Sequence, residues 1–214
     1  MKTIGINGSP RKGWNTSILV EEALRGAASR GSETELVNLY DLNFRGCISC
    51  FACKLKGGKS LGRCAARDDL KPALDRIHEC DALVAGSPIY LSEVTAGVRA
   101  FFERLIFQYL TYGNKERNTF FDRRIPSVLI YTMNIGESML DGAGYTAKFK
   151  FYEDSFDRFL GPAKTLVSTE TWQTTDYGQY EMTMFDGEAR KKRRDEVFPV
   201  DRRKAFELGA GLFP

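Results

Sequence analysis

Five short apolar segments, each followed by residues at helical spacing or by a turn, constrain this chain more than any other feature. Lys2–Asn7 reads as a strand ending at Gly8, and residues 16–30 then place Ile18, Leu19, Ala23, Leu24, Ala27 and Ala28 on a helical stripe. Residues 34–39 alternate as a strand does. Residues 82–86 (ALVAG) and 125–131 (IPSVLIY) are runs suited to buried strands, the first expected to break at Ser87-Pro88. Ala163–Ser168 supplies the fifth strand. Asp68 and Asp69 are placed to cap a helix running to about Cys80, and residues 94–110, 145–160 and 186–208 read as further helices, the last interrupted around Pro199. Strands alternating with helices predict an α/β fold, a doubly wound five-stranded parallel sheet with helices on both faces. At 214 residues, with no internal repeat or linker, the chain is expected to form a single domain over 1–214. That domain would carry a cysteine-rich loop at 45–67 and a C-terminal extension at 170–214. A core of that size needs no disulfide or metal staple.

In such a sheet ligands bind beyond the carboxyl ends of the strands, where the strand order reverses. Residues 8–17, 87–93 and 132–138 are therefore the segments to read for chemistry. The first runs from strand to helix, so unpaired helix N–H groups and short donors meet a phosphate there. Ser9, Arg11, Asn15, Thr16 and Ser17 are its candidate ligands. Gly8-x4-Gly13 begins like an ATP-binding loop, but Trp14 and Asn15 stand where Lys and Ser or Thr are required. The loop holds no cysteine to act as a phosphatase nucleophile, and no G-x-G-x-x-G is present. A terminal phosphomonoester, bound and not cleaved, fits these residues; the plainer reading is that they are only turn and cap residues. A net charge of +3 points to no nucleic-acid partner, and no apolar run approaches the length of a membrane span. The opening residues lack a secretion-type apolar region, so a cytoplasmic location is expected.

Three motifs in order, Gly5-Ile6-Asn7-Gly8-Ser9-Pro10-Arg11-Lys12 with Asn15-Thr16, Cys47-x2-Cys50-x2-Cys53…Cys64-x3-Asp68-Asp69, and Gly86-Ser87-Pro88-Ile89-Tyr90, resemble one group of proteins. These are the NADPH-dependent FMN reductase-like flavoproteins of the flavodoxin-like superfamily, which include the iron–sulfur flavoproteins. The resemblance implies a flavodoxin-like sheet, FMN as cofactor and NAD(P)H as co-substrate. It implies an oxidoreductase passing electrons to a quinone, a flavin or another small-molecule electron acceptor. Its alternative is an iron–sulfur flavoprotein relaying electrons from ferredoxin through a [4Fe–4S] cluster and FMN. Pro88, Ile89, Tyr90, Leu91 and Ser92 are implied contacts along the pyrimidine side of the flavin, and topology adds Thr132 and Asn134. No catalytic side chain is implied, because flavin N5 carries the chemistry. The single histidine, His78, agrees with cofactor chemistry rather than proton-transfer catalysis. The group also implies a homodimer or homotetramer, with the aromatic residues of 101–112 as one candidate interface and 172–185 as a cover for the site. Trp14 departs from the small residue usual at its place.

Cys47, Cys50 and Cys53 have the compact spacing of a cluster-binding run, but ten residues separate Cys53 from Cys64. The spacing leaves three occupants open: an iron–sulfur cluster, zinc, or reduced thiols with no metal. Residues 45–67 carry Arg45, Lys54, Lys56, Lys59, Arg63 and Arg67 and no acid. That is a solvated loop or an attractor for an anionic partner. The basic run at 190–194, with acids on both sides, reads as a charged helix surface.

Overall fold

The computed structural model describes residues 1–113 and 118–213. Residue 214 of the expected C-terminal extension lies outside them. Five parallel strands form the sheet: β1 (Lys2–Asn7), β2 (Glu33–Asn38), β3 (Ala82–Tyr90), β5 (Ser127–Thr132) and β6 (Ala163–Ser168). They lie in the order β2-β1-β3-β5-β6, with a short β4 (Glu93–Val94) antiparallel to the end of β3. Counting only the parallel strands, this is the flavodoxin-like order, which reverses between β1 and β3.

Alternation along the strands decides which helix covers which face. Ile4, Ile6, Leu83, Leu129 and Tyr131 point to one side, where α2 (Leu70–Glu79), α3 (Ala96–Tyr109) and α4 (Tyr145–Phe159) pack. Ala82, Val84, Val128, Ile130 and Leu166 point to the other, under α1 (Asn15–Ser29) and α6 (Phe198–Ala210). A separate helix, α5 (Gly187–Glu196), precedes α6, and the chain breaks between them at Val197, with Pro199 in the first turn of α6. Among the described residues no helix is long and apolar enough to cross a membrane.

One strand boundary departs from the sequence reading. β3 does not break at Ser87-Pro88 but continues to Tyr90, with Pro88 level with Thr132 of β5. The pairing of β3 with β1 ends at Gly86, opposite Asn7, so the N–H that Pro88 lacks has no β1 partner to serve. Two helix readings also change. Asp69 stands at the cap position of α2 without a side-chain cap bond, and its carboxylate accepts from the Asn43 N–H instead. The aromatic residues of 101–112 are mostly core: Phe101, Phe102 and Tyr109 are buried, and the exposed Tyr112 lies beyond the end of α3.

α1 and α6 approach so closely that a Cβ added to Gly209 would lie 1.8 Å from the carbonyl oxygen of Ala23. The Gly209→Ala variant should therefore unfold at lower urea, losing about 1–3 kcal/mol to forced separation of the helices. Helix propensity alone favours alanine by about 1 kcal/mol, so a raised urea midpoint would contradict this packing.

Candidate functional site

Where β1 ends beside β3, the Gly8 N–H donates to the Gly86 carbonyl at 2.8 Å. Thr95, at the start of α3, donates its hydroxyl to the Gly8 carbonyl at 2.9 Å, and its own N–H donates to Ser87 Oγ at 3.1 Å. These bonds fix the loop after β1 against the loop before α3. The Asn7 side chain accepts from the Ser9 N–H, and Ser9 Oγ accepts from the Arg11 N–H, so the loop turns back toward the sheet edge.

Ser9, Arg11, Asn15, Thr16, Pro88, Ile89, Tyr90, Thr132 and Asn134 line one cleft, with Trp14, Met133, Thr171 and Gln173. Buried Thr16 and Thr132 join its walls through their hydroxyls, 2.7 Å apart. Asn134 brings an uncommitted polar group: both its Oδ1 and its Nδ2 are buried and have no partner, and neither has Gln173 Oε1. Burial, and then the neighbouring Tyr40, push the Tyr90 phenol above its ordinary pKa, so it stays protonated at neutral pH.

Three of the residues singled out from the sequence do not line this cleft. Ser17 Oγ is committed to the backbone of Trp14, accepting from its N–H at 3.0 Å and donating to its carbonyl at 3.1 Å. Leu91 and Ser92 form the tight turn between β3 and β4, both at positive φ (48° and 63°). Leu91 projects into solvent, and Ser92 Oγ meets the Tyr145 hydroxyl at 3.0 Å.

The segment after β6 covers the phosphate-type loop from within the same chain. Trp172 stacks on Trp14 with ring centroids 5.7 Å apart, and its carbonyl accepts from Trp14 Nε1 and from Asn15 Nδ2. Arg11 reaches the Gln173 carbonyl at 2.6 Å and lies over the Trp14 ring. From α5, Arg194 donates to Asn15 Oδ1 at 2.6 Å, Arg190 pairs with Glu170, and Arg193 pairs with buried Asp201. The basic run is thus an anchor for this segment as well as a charged surface. Burial, and then Arg202, lower the pKa of Arg194.

The cysteine-rich loop builds a second feature. A cavity of about 370 Å³ is lined by Cys47, Cys50, Cys53 and Cys64, all four cysteines of the loop, together with Asp68, Arg104 and Gln108. Cys47 and Cys50 are exposed, Cys53 is buried and Cys64 is half-buried. Ser49 and Phe51, on either side of Cys50, have positive φ (55° and 56°), which turns the loop around the cavity mouth. Among the described residues no three His, Cys, Asp or Glu converge as a ready metal-ligand set. Arg104 is 2% exposed and donates from Nη1 to Asp68 Oδ2 at 2.5 Å and to the Arg45 carbonyl at 3.2 Å. Its Nε and Nη2 have no partner. Gln108 Oε1 accepts from the Cys64 N–H at 2.9 Å, while its Nε2 has no partner. Burial opposes the charge on Arg104, but Asp68 and Cys64 outweigh it and raise its pKa.

Residues 1–129 match the NADPH-dependent FMN reductase family. The chain belongs to that family. It is 40% identical over 104 residues to an iron–sulfur flavoprotein of Methanocaldococcus jannaschii, covering 49% of this chain and 51% of the relative. An iron–sulfur flavoprotein of Archaeoglobus fulgidus is 35% identical over 115 residues, 54% of this chain and 48% of its own length. The chain spans about half the length of the curated relatives it matches. Its fold is that of an NAD(P)H:quinone oxidoreductase from Methanothermobacter marburgensis, with a TM-score of 0.72 at 19% identity, covering 100% of this chain and 99% of the other.

In this member of the reductase family, sequence reading missed Arg104 and Gln108 and took Arg194 for surface charge, whereas Trp172 opens the segment expected to cover the site. The first two carried a signal: polar residues four apart on the otherwise apolar face of a helix. The contact of Arg194 with Asn15 spans 179 residues of chain and carried none.

The fifth cysteine, Cys80, is a core residue. It is fully buried, its Sγ donates to the Ile77 carbonyl at 3.2 Å, and burial pushes its pKa up to about 12. Because the thiolate is the nucleophile, iodoacetamide at mildly alkaline pH should label exposed Cys47 and Cys50 in the folded protein. Cys80 should react only after unfolding, as read by peptide mass spectrometry; prompt labelling of Cys80 would contradict its packing.

Proposed function

We propose that the protein is an FMN-dependent oxidoreductase that takes electrons from NAD(P)H and delivers them to a quinone, a flavin or another small acceptor. The observation that carries this reading is the Asn134 amide, which lines the cleft with a buried donor and a buried acceptor, both unpartnered. An isolated buried amide is costly, and the pyrimidine edge of a flavin presents the matching acceptors and donors. Across the cleft, the first-turn amides of α1, the Ser9 hydroxyl and the Arg11 guanidinium offer a phosphate the donors and charge it needs. Pro88 and Ile89 supply an apolar wall for a flat ring, and the protonated Tyr90 hydroxyl can donate. Bound FMN supplies the electron-transfer chemistry. The chain binds the phosphate, orients the ring edge and, through the Trp14–Trp172 cover, excludes water from the phosphate end.

Of the two tryptophans of the sequence, Trp14 lines this cleft and Trp172 stacks on it. Titrating FMN into flavin-free protein should therefore quench most of the tryptophan emission. Asn134→Leu should weaken FMN binding by about 1–3 kcal/mol, the cost of losing bonds from a buried polar group. Protein prepared with FMN supplied that shows neither flavin absorbance nor quenching would refute the reading. Stopped-flow reduction by NADPH then tests the donor.

A second reading, an iron–sulfur flavoprotein relaying single electrons from ferredoxin, is favoured by the four-cysteine cavity and by the names of the relatives. Cys47, Cys50, Cys53 and Cys64 would hold a [4Fe–4S] cluster, which supplies one-electron transfer when bound. The unpartnered donors of Arg104 and Gln108 on the cavity wall suit sulfur acceptors. Anaerobically prepared protein should then contain acid-labile sulfide and iron, and reduced ferredoxin should reduce it faster than NADPH does. Absence of both elements after reconstitution would leave the first reading alone.

A further inference from the structure

We propose that Arg104 and Gln108 donate hydrogen bonds to the sulfur atoms of a cluster held by Cys47, Cys50, Cys53 and Cys64, and so raise its reduction potential. The inference rests on the iron–sulfur reading above and adds two residues to it. Both side chains are 2% exposed and both line the cavity that the four cysteines surround. They stand four residues apart on α3, so they share one helix face.

Each side chain divides its polar atoms in the same way. Arg104 uses Nη1 to hold the loop, through Asp68 and the Arg45 carbonyl, and leaves Nε and Nη2 without a partner. Gln108 uses Oε1 to hold the loop at Cys64 and leaves Nε2 without one. Residues with only a structural duty would satisfy those donors on nearby carbonyls, because a buried unpaired donor destabilises the fold. Instead three N–H-bearing atoms at a thiol-lined cavity lack acceptors. Thiolate and sulfide sulfurs are acceptors, and hydrogen bonds to them set cluster potentials. Asp68 Oδ1 is also buried and unpartnered. Its negative charge is opposed by Arg104, which leaves the amide of Gln108 as the neutral donor of the pair.

Reduction adds one electron, and hence one negative charge, to the cluster without changing its atoms. Donors facing its sulfurs stabilise that added charge, so removing them lowers the potential. Two variants separate the donors from the loop-holding contacts. Gln108→Glu keeps an oxygen for the Cys64 N–H and replaces the free donor by an acceptor. Arg104→Lys keeps a cation for Asp68 and removes the planar fork.

The experiment is an EPR-monitored titration of the full chain with dithionite as reductant. In each variant the ratio of reduced to oxidised cluster at a fixed potential should fall about tenfold or more, equivalent to about 59 mV for a one-electron couple. Unchanged potentials in both variants, with iron content, circular dichroism and FMN binding preserved, overturn the proposal. A measurement on the unaltered protein stands beside the variants. The sequence has three glutamines, and the other two, Gln173 and Gln179, belong to the segment after β6. Protein carrying side-chain 15N-glutamine should show a 15N coupling to the reduced cluster in pulsed EPR, and absence of that coupling rules out the Gln108 contact. If the unaltered protein takes up no iron or sulfide, the iron–sulfur reading fails and the proposal falls with it. A normal cluster with indifferent variants sinks the proposal alone.

Discussion

The bond from the Gly8 N–H to the Gly86 carbonyl is the contact on which the cleft depends. It ties the end of β1 to the last residue of β3 that pairs with it, and the two chains then leave toward opposite faces, β1 into α1 and β3 through its hairpin into α3. A Cβ at Gly8 would collide with Val98 of α3 at 1.9 Å, so that helix is seated directly against the strand end. Thr95 locks the arrangement by bonding both Gly8 of the loop and Ser87 of β3. With the two strands pinned and the helices diverging, a crevice opens between them.

Much of this was legible in the chain. The short apolar runs alternating with helical segments placed the sheet and its two coverings, because each face must bury a continuous apolar layer. The loop residues Ser9, Arg11, Asn15 and Thr16, the strand end Pro88–Tyr90, and Thr132 with Asn134 were all singled out beforehand, and the structure gathers them along one cleft. What misled was local. Pro88 reads as a strand breaker, yet it stands where its neighbouring strand has already ended. Asp69 reads as a helix cap, yet its carboxylate serves the Asn43 amide. In both cases a partner far along the chain overrides a propensity that holds for isolated segments.

The basic run of α5 illustrates the same limit from the other side. A basic run with acids on both sides suggested a charged helix surface, and Lys191 with Asp195 does form an exposed pair. Arg190, Arg193 and Arg194 turn inward to Glu170, Asp201 and Asn15, contacts separated by up to 179 residues. Nothing in the spacing of charges distinguishes an arginine facing solvent from one that fastens a distant loop. Arg104 and Gln108 were more accessible to inference, because a guanidinium and an amide on a buried helix face must find partners or a ligand.

The stacking of Trp14 on Trp172 has a consequence for when the protein becomes competent to hold a ligand. The partners lie 158 positions apart. A chain growing from its amino end completes β1, the loop and α1 early, but its cover belongs to the segment after the last strand. Closing so long a loop comes late and slowly in folding. Until β6 has docked, the phosphate end stands uncovered, and any molecule caught there exchanges freely with solvent. Retention is thus a property of the finished chain, and truncation before Trp172 would leave a sheet edge that can meet a ligand without keeping it.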